Sequence, residues 1–335
     1  MAGSRSNTPS VTDLVRAVDA GAAVIGAHFL GEGAVFVTAE ENLLLVSPDG
    51  GETRIPAHDG GILCSAGDGA RIVTGGDDGK VVLTDAHGVT RVIAHDEKNR
   101  WIDHVAAGPD QALAWSAGKT AFAQNKKGET KSLDVISTVG GLAFAPKGFR
   151  LAIAHYNGAS LWFPNLQAAP QVLNWKGSHL GVTMSPDGKF LMTAMQEPTL
   201  HGWRLSDAKD MRMSGYAGRV RAMSWSADGG YLATSGSDQI ILWPFHGKDG
   251  PMNKPPVMYA PHDARLNVVA CHPEEPVVAA GYADGLVLLV RLADGAEVLV
   301  RRPADAPVTA IAWTSEGGKL AFGCEDGAAG IVDLS

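Results

Sequence analysis

Three cysteines and eleven histidines carry the softest donor atoms in this 335-residue chain, and several of them sit in comparable places. His28 and Cys64 fall in similar short apolar runs, as do His104 and the Cys271-His272 pair. Thiolate and imidazole side chains brought together in this way would suit zinc or copper. No close ligand pair has zinc-site spacing, however, and no two cysteines are arranged as CxxC. Read without a metal, the same residues are small or amphipathic fillers of a core. We therefore assign no metal and no catalytic residue, and keep a metal-binding or enzymatic use of these His and Cys residues as the alternative.

Other chemistry lacks its motif. There is no phosphate-binding GxxxxGK followed by Ser or Thr, no GxGxxG opening a helix, and no GxSxG nucleophile turn. The Gly-rich "GGDDGK" (75–80) and the repeated "DGG" and "DDG" lack the ligand order of a calcium loop. No cofactor is expected.

The elements that carry these residues are short strands. In "VRAMSWSADGGYLATSGSDQIILW" (220–243), three apolar runs are separated by polar turns, and Asp-Gly favours a hairpin. No apolar spacing of helical period runs through the stretch. The first turn recurs along the chain, ending at Gly33, Gly69, Asp110, Gly148, Gly188, Gly229, Glu275 and Gly317. A second strand follows each mark in register ("VFVT", "RIVT", "ALAW", "RLAI", "FLMT", "YLAT", "VVAA", "KLAF"), then a polar turn and a third strand. A more polar fourth segment usually closes the unit. A period of about 40–45 residues with four strands per unit is the signature of propeller blades. Eight units predict eight four-stranded sheets, with seven blades as the alternative.

Composition narrows the class further. The formal net charge is −8, where a nucleic-acid binder would usually show a basic excess, so no nucleic-acid partner is expected. No run reaches the roughly 18 apolar residues of a membrane span, and the N-terminus has no apolar core of signal-peptide length. The odd cysteine count argues against a disulfide framework. Together these predict a soluble cytoplasmic protein without a membrane partner.

At this level the chain resembles the WD40-repeat family, most closely in "GYAGRVRAMSWSADGGYLATSGSDQIILWPF" (215–245). The family's approach histidine corresponds to His58, His95, His179 and His262, and its turn aspartate to Asp78, Asp238, Asp284 and Asp326. The Trp-Asp dipeptide is lost: Phe, Arg and Pro follow Trp162, Trp203 and Trp243. The resemblance implies a buried structural network of His58, Thr74 and Asp78, with Thr84 where Trp is usual. It implies a second of Thr234, Asp238 and Trp243, with Tyr216 in the His place. It also implies one propeller domain over 1–335, its ring closed by residues 1–20. Residues 12–18 would supply the outer strand of the last blade beside Ile331, burying Leu14 or Val15. A short helix over "DLVRAV" is the rival reading there.

Propellers bind through loops on rigid rims. Three stretches leading into first strands gather the residue types that dominate interfaces: Arg100 and Trp101; Tyr216, Arg219 and Arg221; and Arg265. These are the candidate contacts of a non-catalytic scaffold for a protein or peptide partner, monomeric outside its complex. The Pro-rich stretch 246–262, the longest departure from the repeat, is either an exposed contact arm or a neutral insertion.

Overall fold

The computed structural model describes residues 8–335, and within them the regular structure is strand apart from two short 3-10 turns, at Thr12–Leu14 and Pro109–Gln111. The turn that marks each repeat explains why the period is legible. In "SADGG", Ser226 Oγ donates to Asp228 Oδ1 (2.6 Å), and that same carboxylate oxygen accepts the Gly230 amide (2.8 Å). The Tyr231 amide closes back on Ser226 Oγ (2.9 Å), while Gly229 takes φ +67°, a region that disfavours a Cβ. "SPDG" repeats the arrangement with Ser185, Asp187 and Gly188 at φ +71°.

The second and third strands are buried almost end to end. Gly33–Thr38, Leu113–Ala117 and Phe190–Met195 are buried at every residue. Strands covered on both faces need continuous apolar runs rather than alternation, which is how these segments read. Fourth strands are more exposed, as in Glu52–Pro56, and their sequences are correspondingly polar.

The described strands form seven hydrogen-bonded sheets. Six have four strands, and the four strands follow chain order in five of these, the first being Val24–Leu30, Gly33–Thr38, Asn42–Val46 and Glu52–Pro56. The remaining sheet has six strands, from Gly141–Phe144 to Lys209–Met213. The expectation of eight four-stranded sheets is therefore corrected to seven sheets. The reason lies in Gln171–Met184, a 14-residue strand that runs on from the outer strand of the fourth sequence unit into the first strand of the fifth. It pairs with Leu151–Trp162 on one side and Phe190–Met195 on the other, so two sequence units share one sheet.

The chain divides into two compact units. One comprises residues up to Thr38, Val46–Glu52 and Tyr216–Ser335; the other comprises Ala39–Leu45 and Thr53–Gly215. In the first, Ile240, Leu242, Val278, Ala280 and Leu288 make one core cluster. In the second, Trp115, Ile102, Val73 and Val81 form one cluster and Trp203, Leu161 and Leu191 another. Between residues 12 and 19 the strand reading holds and the rival helix over 13–18 does not: a single 3-10 turn, Thr12–Leu14, precedes the strand Val15–Asp19. That strand pairs antiparallel with Ala328–Asp333, with Arg16 opposite Ile331. Of Leu14 and Val15, expected as alternative buried anchors, Leu14 is exposed and Val15 packs partly on the core, while Val18 and Ala20 are buried.

Candidate interaction surface

Within the second unit, His58 is buried between two partners. Its Nε2 meets Thr74 Oγ1 at 2.8 Å and its Nδ1 meets Asp78 Oδ1 at 3.0 Å. Asp78 also accepts the amides of Asp59 and Lys80, both at 3.0 Å. This anchors the approach loop to the turn between the second and third strands. Thr84, where a tryptophan would complete the chain, leaves its buried hydroxyl without a hydrogen-bond partner. His179 repeats the motif with Thr193 (2.7 Å). His95 is exposed, which corrects its assignment as an approach histidine: it ends the fourth strand Thr90–His95, five residues ahead of the loop's end.

Within the first unit, Tyr216 takes the histidine's place. Trp243 Nε1 donates to Tyr216 Oη (2.7 Å), which donates to Thr234 Oγ1 (2.8 Å), which donates to the Ile241 carbonyl (3.0 Å). Tyr216 is buried, and burial raises its phenol well above the ordinary range. It is thus a core residue and not a partner contact. Asp238 is exposed and accepts from Ser237 Oγ (2.9 Å), so it too departs from its expected place in the buried network. A phenol reaches both Thr234 and Trp243 unaided, leaving the aspartate free to face solvent. His262 keeps a histidine's role, pairing with Asp284 at 2.6 Å.

Arg100 and Trp101 have separate jobs. The Asp96 carboxylate accepts the Lys98 and Arg100 amides, both at 3.0 Å, and the Arg100 guanidinium, at 2.7 Å to Nη2. The guanidinium hydrogen bond chiefly holds the Asp96 carboxyl down to about 2. Arg100 therefore braces its own loop and presents Trp101, which is 60% exposed. The following loops are tied in series. Val139 N donates to Gly118 O (2.9 Å), Tyr156 N to Ser137 Oγ (2.8 Å), Gly177 N to Asn157 Oδ1 (3.3 Å) and Gln196 N to Ser178 O (2.9 Å). Gly158, at φ +141°, makes the close approach possible: a Cβ there would lie 2.0 Å from Leu173 O.

These linked loops expose Ile136 (76%) and Tyr156 (48%), with Leu180 three residues beyond Gly177, and Trp101 is exposed on its own braced loop. Tyr156 also borders a cleft of about 430 Å³ with Trp175, Lys176, Glu197 and Arg212. Sequence reasoning missed Ile136, Tyr156 and Leu180. Ile136, in "DVISTVG", is an apolar residue in an approach loop, as Trp101 is, where polar residues would be expected. In the first unit, Arg221 and Arg265 are exposed and Arg219 half-buried. The Arg265 guanidinium lies over Gly218, 3.2 Å from where a Cβ would stand, so the loops carrying Arg219, Arg221 and Arg265 converge. The 246–262 stretch ends in a strand, Val257–Tyr259, paired with Ile240–Pro244, so part of the expected arm belongs to a sheet.

The candidate metal ligands have other partners. Cys64 Sγ faces Ile102 O (3.2 Å) and Cys271 Sγ faces Ser224 O (3.5 Å); burial pushes the thiols up to about 12 and about 11. His272 accepts the Glu274 and Glu275 amides at Nδ1 (3.1 and 2.8 Å), and its Nε2 donates to Gly317 O (3.1 Å). Burial lowers His28 to about 4 and also lowers His104. Among the described residues, no three His, Cys, Asp or Glu side chains come together as a metal site. Among them, too, no helix is long and apolar enough to cross a membrane.

Repeating antiparallel sheets with histidine or tyrosine pins between approach loop and second strand define an all-β propeller. The chain is similar in fold to the crystal structure of the computationally designed Ika8 protein, with a TM-score of 0.78 and 15% identity over 94% of this chain and 97% of that one. The WD domain, G-beta repeat family matches residues 52–85 and 210–243, the two segments that hold the His58 and Tyr216 networks. WD40 repeats at these two positions, set in a β-propeller fold, support the WD40-repeat resemblance. No curated protein sequence matches it.

Proposed function

We propose that the chain is a non-catalytic interaction scaffold that binds a protein or peptide through the loops carrying Trp101, Ile136 and Tyr156, with Leu180 beside them. The observation that carries this reading is the exposure of three large apolar side chains, Trp101 on a loop braced by Asp96 and Arg100, and Ile136 and Tyr156 on loops hydrogen-bonded to each other. Exposed apolar groups held on rigid loops lose little conformational freedom on docking, and aromatic anchors of this kind dominate interface energetics. Arg219, Arg221 and Arg265 form a second candidate contact in the other unit. Residues 1–335 act as one propeller domain, monomeric outside its complex and cytoplasmic, a location that suits three unpaired cysteines.

The test is affinity purification from the native cell with quantitative identification of co-purifying proteins. The double variant Trp101→Ser, Ile136→Ser should lose a specific partner while keeping its melting temperature. A partner set unchanged in that variant would overturn the assignment of this surface.

A further inference from the structure

A cleft of about 500 Å³ lies in the unit that contains Tyr216–Ser335, and none of the residues named in the proposed binding loops lines it. Its apolar lining is Leu242, Val257, Tyr231, Tyr259, Leu292 and Pro276, and its polar edge is Asp228, Glu274 and Glu275. No Lys or Arg is among its lining residues.

The walls are held in place. Tyr259 Oη donates to Leu292 O (3.3 Å), and its ring lies against Gly295, where a Cβ would stand 2.5 Å from it. The Tyr231 ring packs edge-on to His246, centroids 4.8 Å apart. The backbone of Glu274 and Glu275 is pinned by the His272 ring, which is itself fixed on Gly317 O. Asp228 is bound by Ser226 Oγ and the Gly230 amide, and these hydrogen bonds hold its carboxyl below the ordinary range. The edge thus carries three carboxyl groups while the floor is aromatic and aliphatic.

We propose that this cleft docks a short cationic segment of a partner protein, one in which Lys or Arg flanks aliphatic side chains. The aliphatic groups fill the floor made by Leu242, Val257 and the two tyrosines, and the cations meet Asp228, Glu274 and Glu275. The charge pattern selects this occupant. A wholly apolar segment would strip water from three carboxylates without pairing them, and an anionic ligand would be repelled. Fixed walls reduce the ordering cost of binding.

The experiment uses the full chain and a fluorescein-labelled dodecapeptide in which two arginines flank a pair of leucines. Fluorescence anisotropy should show saturable binding. The variant Glu274→Lys, Glu275→Lys should weaken it by about tenfold or more, the range in which close charge pairs act at interfaces. Because the whole chain carries a net charge of −8, the variant Glu40→Lys, Glu41→Lys, with the same change in net charge at exposed positions elsewhere, serves as control and should leave affinity within about twofold. Replacing the leucines of the peptide by serines should also abolish binding. No saturable binding, equal weakening by both charge reversals, or binding indifferent to the leucines would each overturn the proposal. Loss of the Trp101 surface would leave this measurement unaffected, so the two readings fail separately.

Discussion

The two networks that replace the family's buried chain make opposite statements about a single hydroxyl. Tyr216 Oη both accepts and donates, and its removal by Tyr216→Phe strands the Trp243 indole N–H among buried neighbours. A buried donor left unmade costs about 1–3 kcal/mol, so urea denaturation of this variant should show a loss in that range. Thr84 is the reverse case. Its buried hydroxyl lacks a partner already, so Thr84→Val, which removes the polar atom at nearly constant volume, should raise stability by about 1 kcal/mol. A midpoint that falls instead would mean the hydroxyl is satisfied in solution.

At the level of the strand, the seam between Val15–Asp19 and Ala328–Asp333 matters most to the first unit. Val15–Asp19 is the outermost strand of its sheet, and it buries Val18 while Val15 packs on the core that holds Val332 and Phe322. Removing residues 1–19 would leave Ala328–Asp333 as an edge with Ile331 and Val332 uncovered. Burial of even one valine contributes about 1.5–3 kcal/mol, so the truncated chain should melt well below the full one, and its free edge should promote self-association. Differential scanning fluorimetry with size-exclusion chromatography would measure both. An unchanged melting temperature and a monomer would show the strand to be dispensable.

For the molecule as a whole, buried imidazoles tie stability to pH. His201 is fully buried, stacked on Trp175 at 3.9 Å, with neither ring nitrogen hydrogen-bonded. Burial first, and then the nearby His179 and Arg212, push it down to about 3 from an ordinary 6.5. His28 is lowered in the same direction, to about 4. Below pH 6.5 the unfolded chain takes up protons that the fold refuses, so stability should decline as pH falls from 6.5 toward 3. The carboxyl of Asp96, held down to about 2, adds a loss that begins below its ordinary 3.8. His201→Phe keeps a ring against Trp175 and removes the titrating group, so its melting temperature should vary less between pH 6.5 and 4 than that of the parent. Equal slopes would assign the acid sensitivity elsewhere.

Repeat length, strand type and family were legible in the chain because each depends on local chemistry. The Ser-Asp-Gly turn closes on itself within five residues, and strands covered on both faces must be continuously apolar, so both leave their mark in sequence. The His58–Thr74–Asp78 cluster was legible through its resemblance to the WD40 repeat, and its members lie within one unit. The sharing of one sheet by two units was not: Gln171–Met184 runs through Gly177, at φ +123° and hydrogen-bonded to Asn157 Oδ1, and pairs on both sides, a matter of hydrogen-bond partners and not of residue type. The roles of Tyr216 and Arg100 were also decided by tertiary contacts. Tyrosine and arginine are interface residues when exposed and structural ones when a buried indole or a nearby carboxylate claims them; the fold brings Trp243 to Tyr216, while Asp96 reaches Arg100 only because the loop turns back on itself.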